Sequence, residues 1–234
     1  MMVKKMIYKY GNVASTNVLI QPVDDHDMAV IENELAAIKA VTEDFCLIAV
    51  KVDNWNKDLS PWEAPAVFGN DAFGGGAGLF LDKILELTKD RSKKYYIGGY
   101  SLAGLFALWA AYQTDVFAGV AAASPSIWFP GFTEYMRNNR IKTDKVYLSL
   151  GNREEKTKNP VMATVGDRIR EAHEILTGQG TTCLLEWNEG NHFKEPDLRT
   201  AKAFRAVQRP NGMQSSMVCP IMQTVSGQQN IRYI

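Results

Sequence analysis

Short apolar runs alternate with amphipathic or apolar stretches along most of the chain. The runs rich in β-branched and aromatic residues predict strands, and the stretches with apolar residues at helical spacing predict helices. The predicted strands are "MIYKYG", "NVLIQ", "FCLIAVKV", "KYYIGG", "FAGVAAAS", "KVYLSLG" and "TCLLEWN". The predicted helices are Met28–Val41, Ala77–Lys89, Leu102–Gln113, Gly131–Asn139, Val161–Leu176 and Pro196–Val207. Strands covered on both faces and joined by right-handed crossovers predict an α/β fold, a three-layer α/β/α sandwich with a mostly parallel central sheet.

Two segments interrupt this alternation. Asp53–Gly78 predicts a long irregular loop, and its two tryptophans favour an ordered and functional one. The polar segment 209–234 continues no strand–helix rhythm. We therefore expect one domain over 1–208, followed by an atypical C-terminal tail of unknown role.

Composition excludes several classes of partner. Lys plus Arg equals Asp plus Glu at 26 each, so no basic field is expected to attract nucleic acid or an anionic membrane. No apolar run approaches the roughly 18 residues that span a bilayer. The N-terminus shows no pattern of a signal peptide. Three widely spaced cysteines argue against a disulfide framework and favour a reducing, cytoplasmic location. Nothing here indicates the oligomeric state.

The stretch "IGGYSLAGLFALWAA" places a lone hydroxyl, Ser101, between a predicted strand and a predicted apolar helix. A sharp strand-to-helix turn, the nucleophile elbow, needs very small residues two positions before and after its serine, because strand and helix approach closely there. Gly99 and Ala103 fill those positions, with Gly104 following. The Leu102 N–H at the helix start would be a natural oxyanion donor.

Two nucleotide-binding motifs and a structural role share part of this pattern. The spacing of Gly99 and Gly104 is that of a phosphate-binding loop, but Leu105 and Phe106 replace its Lys and Ser/Thr. A dinucleotide-binding turn would need glycine at position 101. A serine that only caps a core helix is the remaining alternative.

A nucleophilic serine requires a base, which in this kind of turn follows later in the chain. The chain has three histidines. His192 lies in "WNEGNHFKEP", directly after the last strand and before the last helix, where such a base is expected. His26 precedes the serine, and His173 is expected on a solvated helix face.

The acid that orients the base should follow the strand "KVYLSLG", which runs into "NREEKTKN". We favour Glu154, with Glu155 as its rival. A carboxylate there would hold the imidazole tautomer and stabilise the imidazolium. Glu189 and Asp197 are nearer to His192 in sequence, but we expect them to serve the local turn and the helix start.

These motifs together resemble one family. The segments "LSPWEAPAVFG", "GGGAGLFLDKILELTKD", "IGGYSLAGLFALWAAY", "FAGVAAASPSIWFPGF", "LSLGNREEKTKN" and "NEGNHFKEP" are similar to the esterase family of α/β-hydrolases that includes esterase D-like enzymes and siderophore (enterochelin-type) esterases. The resemblance covers about Val18 to Ala206.

The resemblance implies Ser101 as nucleophile, His192 as base and an acid in the turn Gly151–Glu155. It also implies an oxyanion hole made by the Leu102 N–H and a backbone N–H in "QPVDDHD", where Val23 is the leading candidate. We expect a serine carboxylic ester hydrolase acting on small or medium acyl esters, without cofactor or metal. The alternatives are an acyltransferase of the same fold, a siderophore (trilactone) esterase, and a non-catalytic binding protein.

Two further clusters, one acidic and one rich in glycine, lie outside these motifs. "DDHD" (Asp24–Asp27) could suggest a metal site, but no distant ligand completes it, and a polar loop is the expectation. "GGGAG" (Gly74–Gly78) resembles an oxyanion loop, yet it follows the wrong strand and lacks the preceding histidine. We expect it to be a flexible lead into a helix.

Four aromatic residues are candidates for walls of the substrate pocket: Trp55, Trp62, Trp128 and Phe129. All lie in loops expected at the carboxyl edge of the sheet, where ligands bind in open α/β folds. The alternative is that they pack in the core, as most tryptophans do.

Overall fold

The computed structural model describes residues 6–67 and 69–209. The strands are β1 (Ile7–Gly11), β2 (Asn17–Val23), β3 (Cys46–Lys51), β4 (Glu63–Ala64), β5 (Phe73–Gly74), β6 (Lys94–Tyr100), β7 (Phe117–Ala123), β8 (Lys145–Gly151) and β9 (Thr182–Asn188). The helices are α1 (Asp25–Lys39), α2 (Trp55–Asp58), α3 (Ala77–Leu85), α4 (Leu102–Gln113), α5 (Phe132–Asn138), α6 (Val165–Gly178) and α7 (Pro196–Gln208), with a 3₁₀ turn over Met162–Thr164.

Among the described residues, seven strands form one sheet in the order β1-β3-β2-β6-β7-β8-β9. Only β1 runs antiparallel to its neighbour, and the other pairs are parallel. The predicted mostly parallel sheet is confirmed. Because parallel strands all end at one edge, the segments after β6, β7, β8 and β9 meet side by side.

Alternate side chains of the strands enter two separate apolar layers, as the period of two requires. On one face, Leu19, Leu47 and Tyr147 pack against α1 and α7. On the other face, Ile20 and Ile97 pack in one cluster with residues of α3, α4, α5 and α6. The three-layer α/β/α sandwich predicted from the sequence is therefore confirmed.

Helix α4 is apolar on every side, and each of its residues from Leu102 to Tyr112 is buried. A helix of this kind is stable only inside a core. It packs against β6 and β7. Its first residue therefore has a fixed position at the end of β6.

The structure corrects one expectation about the interrupting segments. Asp53–Gly78 is not wholly irregular, since it contains α2 and the two-residue ladder of β4 with β5. These elements are too short to produce a periodic pattern in sequence. The predicted tail lies, beyond Arg209, outside the described residues. In the part of the chain that is described, no helix combines the length and apolarity needed to cross a membrane.

A buried carboxylic acid lies between β2 and α1. Glu34 is 3% exposed, and its Oε2 accepts a hydrogen bond from Gln21 Nε2 at 3.2 Å. Its Oε1 and the Gln21 Oε1 have no hydrogen-bond partner. Burial, only partly offset by the Gln21 bond, raises the pKa of Glu34 to about 8. The side chain is therefore largely protonated at neutral pH.

This acid should make stability depend on pH. The folded pKa of Glu34 exceeds its ordinary value of 4.5, so the folded state binds more protons between about pH 4.5 and pH 8 and loses stability as the pH rises through that window. Glu34→Gln should raise the free energy of unfolding at pH 9 by roughly 2 kcal/mol and flatten its pH dependence. Urea unfolding at several pH values measures this. Glu32→Gln, on the exposed side of the same helix, is the matched control; equal pH profiles for Glu34→Gln and wild type would contradict the assignment.

Candidate active site

Ser101 occupies a strained backbone conformation between β6 and α4. Its φ is 55° and its ψ is −120°, a region that residues with a side chain rarely adopt. The Ser101 N–H donates to the Ala123 carbonyl at the end of β7, and the Ser101 carbonyl accepts from Leu105 and Ser126 N–H groups, all at 3.1 Å. These bonds hold the turn in place and leave the Ser101 side chain partly exposed.

The strand and helix on either side of this turn are almost in contact. A Cβ atom added to Gly99 would lie 2.6 Å from the Cβ of Ala103. A Cβ atom added to Gly104 would lie 3.0 Å from the Gly99 carbonyl oxygen and 3.2 Å from Pro125 Cβ. The small residues around Ser101 are thus required by the approach of β6 to α4.

A continuous row of hydrogen-bonded side chains runs from Ser101 into the protein. The Ser101 Oγ lies 3.1 Å from His192 Nε2, and His192 Nδ1 lies 2.7 Å from Glu154 Oε2. The three residues follow β6, β9 and β8. With the Nδ1–H directed at the carboxylate, Nε2 is free to accept the Ser101 hydroxyl proton.

Glu154 is the buried end of this row, with its side chain 3% exposed. Its Oε1 accepts from Ser124 Oγ at 2.7 Å, from the Gly151 N–H at 2.6 Å and from Arg199 Nη1 at 3.1 Å. Burial alone would raise the pKa of Glu154, but the hydrogen bonds and charge of its partners, His192 foremost, outweigh burial and lower this pKa. The carboxylate is therefore ionised at neutral pH.

Several of these partners were not singled out in the sequence. Ser124 and Ser126 belong to the "SPS" segment directly after β7, and that position at the carboxyl edge could have indicated them. The Ser126 Oγ lies 3.2 Å from Ser101 Oγ. Tyr100 and Arg199 carried no signal, because nothing in sequence shows that a tyrosine in a strand and an arginine in the last helix meet.

The rival acid and the other histidines lie elsewhere. Glu155 Oε2 is 3.7 Å from Arg170 of α6 and takes no part in the row of hydrogen bonds. His26 is exposed on α1. His173 is not on a fully solvated face as expected, because its Nε2 lies 3.2 Å from the Cys183 carbonyl of β9 in a partly buried contact. Helix α6 turns this residue toward the sheet edge.

The two predicted oxyanion donors occupy different surroundings. Leu102 is the first residue of α4, where an N–H has no carbonyl of the preceding turn to bond. Val23 is the last residue of β2 and is fully buried. Its carbonyl accepts the Val52 N–H at 2.9 Å. The role of either amide stays a prediction.

Three of the four candidate pocket aromatics, Trp62, Trp128 and Phe129, pack in one aromatic cluster with Phe73. Trp128 and Phe129 are 8% and 2% exposed, and Phe73 lies edge-on to Phe129 with 5.0 Å between ring centroids. The Trp62 indole lies 5.5 Å from the Phe129 ring, and its Nε1 donates to the Pro130 carbonyl. Trp55 lines a surface cleft that includes neither Ser101 nor His192.

Phe193 presents an apolar surface beside the site that the sequence analysis did not identify. Its ring is 85% exposed and lies edge-on to the His192 ring, with 5.6 Å between centroids.

The remaining clusters have local structural roles. Asp24 caps α1 by accepting the Asp27 N–H at 2.8 Å, and the Asp27 carboxylate accepts the Asp24 N–H at 3.1 Å. Among the described residues, no group of three or more His, Cys, Asp or Glu side chains could hold a metal ion. Gly75 N–H and Gly76 N–H donate to Ser60 Oγ and the Lys57 carbonyl, so the expected flexible lead into α3 is instead hydrogen-bonded.

Comparison with known proteins places the chain in one fold. No family model matches it. It is 24% identical over 168 residues to the uncharacterized protein YbbA of Bacillus subtilis (strain 168), covering 63% of this chain and 67% of that protein.

Two solved structures share the architecture. An IroE-like serine hydrolase from Shewanella oneidensis superimposes with a TM-score of 0.61 at 16% identity, over 82% of this chain and 70% of its own. Siderophore hydrolase EstA from Aspergillus nidulans superimposes with a TM-score of 0.62 at 17% identity, over 88% of this chain and 95% of its own. The chain has the α/β-hydrolase fold.

The close approach at the turn gives a testable prediction. Gly99→Ala should lower the free energy of unfolding by about 2 kcal/mol, because the new methyl group meets the Ala103 methyl group. Combining it with Ala103→Gly removes that clash. The free energy of unfolding of the double variant should therefore be about 1 kcal/mol higher than the sum of the two single effects predicts. Chemical denaturation of the four proteins measures this.

A matched control uses another buried alanine of α4. Ala107 is not among the atoms nearest to Gly99. Gly99→Ala with Ala107→Gly should therefore be additive. Additivity in the Ala103 pair as well would show that the two positions do not restrict each other.

Proposed function

We propose that the protein is a serine carboxylic ester hydrolase acting on small or medium acyl esters, with Ser101 as nucleophile, His192 as general base and Glu154 as the acid that orients it. The observation that carries the proposal is the row of hydrogen bonds from Ser101 Oγ through His192 to the ionised Glu154, which begins at a strained strand-to-helix turn. A serine, a base and an orienting acid in this geometry are the requirements for acyl transfer through the serine.

In the first half of the reaction, Ser101 Oγ attacks the ester carbonyl carbon while its proton passes to His192 Nε2. The negative charge that develops on the carbonyl oxygen is stabilised by the Leu102 N–H at the start of α4, with the Val23 N–H as the proposed second donor. Glu154 stabilises the imidazolium through Nδ1–H without taking the proton. The tetrahedral intermediate then collapses, and the C–O bond breaks as His192 protonates the leaving alcohol.

In the second half, His192 accepts a proton from water, and the water oxygen attacks the acyl-enzyme carbonyl. The bond between the acyl carbon and Ser101 Oγ breaks, Ser101 Oγ regains its proton from His192, and the carboxylic acid product is released. Besides the ester and water, the proposed steps use only the nucleophile, base, acid and oxyanion donors of the chain, so they require no cofactor.

The comparisons support this proposal at the level of fold. Two of the proteins that share the architecture are a serine hydrolase and a siderophore hydrolase. The carboxyl edge of an α/β sheet, where Ser101, His192 and Glu154 lie, is the usual place for such a site. The exposed ring of Phe193 offers an apolar contact for a bound ester next to the reacting atoms.

The proposal is tested by labelling with a fluorophosphonate, which requires an activated serine but no knowledge of the substrate. Wild type should gain the mass of one adduct, with loss of fluoride, and should hydrolyse p-nitrophenyl acetate. Ser101→Ala should give no adduct, and His192→Ala should label at least about a hundredfold more slowly. Intact-mass spectrometry measures both.

His173→Ala is the matched control, because His173 contacts the Cys183 carbonyl and is outside the hydrogen-bonded row. It should label like wild type. A folded wild type that gives no adduct, or an adduct retained in Ser101→Ala, would rule out the proposed nucleophile.

The two adjacent glutamates give a second prediction. Glu154→Gln should lower kcat by roughly a thousandfold or more, because an amide in this position cannot stabilise the imidazolium. Glu155→Gln should change kcat less than about threefold, since Glu155 contacts only the α6 side of the turn. Steady-state hydrolysis of p-nitrophenyl acetate ranks the two, and the reverse ranking would transfer the acid's role to Glu155.

A further inference from the structure

One buried cation touches every segment that supplies the proposed nucleophile, base and acid. Arg199 of α7 is 4% exposed. Its Nη1 donates to Tyr100 Oη at 2.9 Å and to Glu154 Oε1 at 3.1 Å, and its Nη2 donates to the Glu189 carbonyl at 2.8 Å. These bonds are what allow the guanidinium to be buried, because burying a charged group costs free energy unless its donors are hydrogen-bonded.

The three acceptors belong to different parts of the site. Tyr100 immediately precedes Ser101 at the end of β6. Its hydroxyl also donates to the His192 carbonyl at 2.8 Å. The Glu189 carbonyl lies in the same loop as His192, directly after β9. The Arg199 side chain therefore connects the strand before the serine, the acid and the start of the loop that carries the histidine.

We propose that Arg199 is a positioning residue of this site, and that its charge also sets the pH range in which the site is active. The proposal rests on the proposed function and extends it to a residue that touches neither Ser101 nor substrate. The planar guanidinium fixes the Glu154 carboxylate so that Oε2 points at His192, while Oε1 faces the cation.

The charge has a consequence for the Glu154–His192 pair. In the resting state, the pair carries one negative charge, which the adjacent Arg199 neutralises. Without that cation, the pair binds its next proton more readily, whether the proton resides on the imidazole or on the carboxylate. Since the base must be unprotonated to accept the Ser101 proton, loss of the charge should move the acid limb of kcat/KM to higher pH.

The other polar groups around the pair do not replace this charge. Tyr100 faces it from β6, and burial with the Glu154 charge raises the pKa of Tyr100 to about 12, so the hydroxyl stays neutral. Ser124 from the end of β7 is uncharged. In the histidine loop, Lys194 and Glu189 face each other at 3.6 Å near the surface, where solvent screens them.

The experiment compares Arg199→Met and Arg199→Lys with wild type in hydrolysis of p-nitrophenyl acetate, between about pH 5 and pH 9 where imidazole titrates. Arg199→Met removes the charge and should shift the acid limb of kcat/KM upward by about one pH unit. Arg199→Lys keeps a cation but loses the planar fork, so the limb should stay within about 0.3 unit of wild type. In both variants kcat should fall roughly tenfold to a hundredfold, because the triad geometry loosens.

Lys202→Met is the matched control on the same helix. Lys202 Nζ bonds Asn188 Oδ1 at 3.0 Å and Glu186 at 2.6 Å, so it also ties α7 to β9 but does not touch the row of hydrogen bonds. This variant should reproduce any general loosening of α7. Its acid limb should lie at the wild-type pH, and its kcat should stay within about threefold of the wild-type value.

The results separate the role of the Arg199 charge from its positioning role. An Arg199→Met variant that is less stable but keeps the wild-type acid limb would overturn the role of the charge, and wild-type kcat in Arg199→Lys would overturn the positioning role. If Arg199→Met does not fold, Arg199→Lys decides through kcat. A wild type without ester hydrolysis or fluorophosphonate adduct would instead refute the proposed function, so the two failures are distinguishable.

Discussion

The arrangement of this site depends on one buried carboxylate. An ionised carboxylate with a side chain 3% exposed is stable only if its oxygens are hydrogen-bonded, since desolvation without partners costs several kcal/mol. Glu154 meets this requirement with donors from the end of β7, from its own turn, from the loop after β9 and from α7. The same bonds that make its burial possible therefore bring these segments to fixed positions beside Ser101.

The second constraint is the strain at Ser101, which the surrounding core has to hold. A positive φ at a residue with a side chain costs on the order of 1 to 3 kcal/mol. The adjoining helix α4 is buried on every side, and apolar burial of such a helix exceeds that cost several times over. Because Gly99 lets β6 approach Ala103 so closely, relaxing the turn would require moving this whole helix out of the core. The hydroxyl therefore remains presented at the sheet edge.

Sequence patterns predicted the three layers and most strands and helices. Burial of one or two faces of an element requires apolar residues at a fixed spacing, and that spacing is visible in the local sequence. They also brought Ser101, His192 and Glu154 forward as candidates, since each directly follows a predicted strand and parallel strands end at one edge. The contact of Arg199 with Tyr100 could not be predicted, because the two residues are 99 positions apart and their contact depends on how α7 crosses the sheet. Likewise, α2 and the β4–β5 ladder are too short to show a period in the sequence. The solvated position expected for His173 was wrong, because the side of a helix that faces the sheet depends on how the helix packs.

Two glutamates in this protein show that burial alone does not set the protonation state. As whole residues, Glu34 and Glu154 are 3% and 8% exposed. Burial nevertheless dominates at Glu34 and raises its pKa, whereas hydrogen bonds and neighbouring charge dominate at Glu154 and lower its pKa. The difference lies in the partners: Glu34 has one amide donor and an unbonded oxygen, and Glu154 has three donors on one oxygen and an imidazole on the other. A neutral Glu34 can stay between β2 and α1 as part of the core. Glu154 stays ionised at a similar depth because His192, Ser124, the Gly151 N–H and the buried Arg199 together offset the cost of burying its charge.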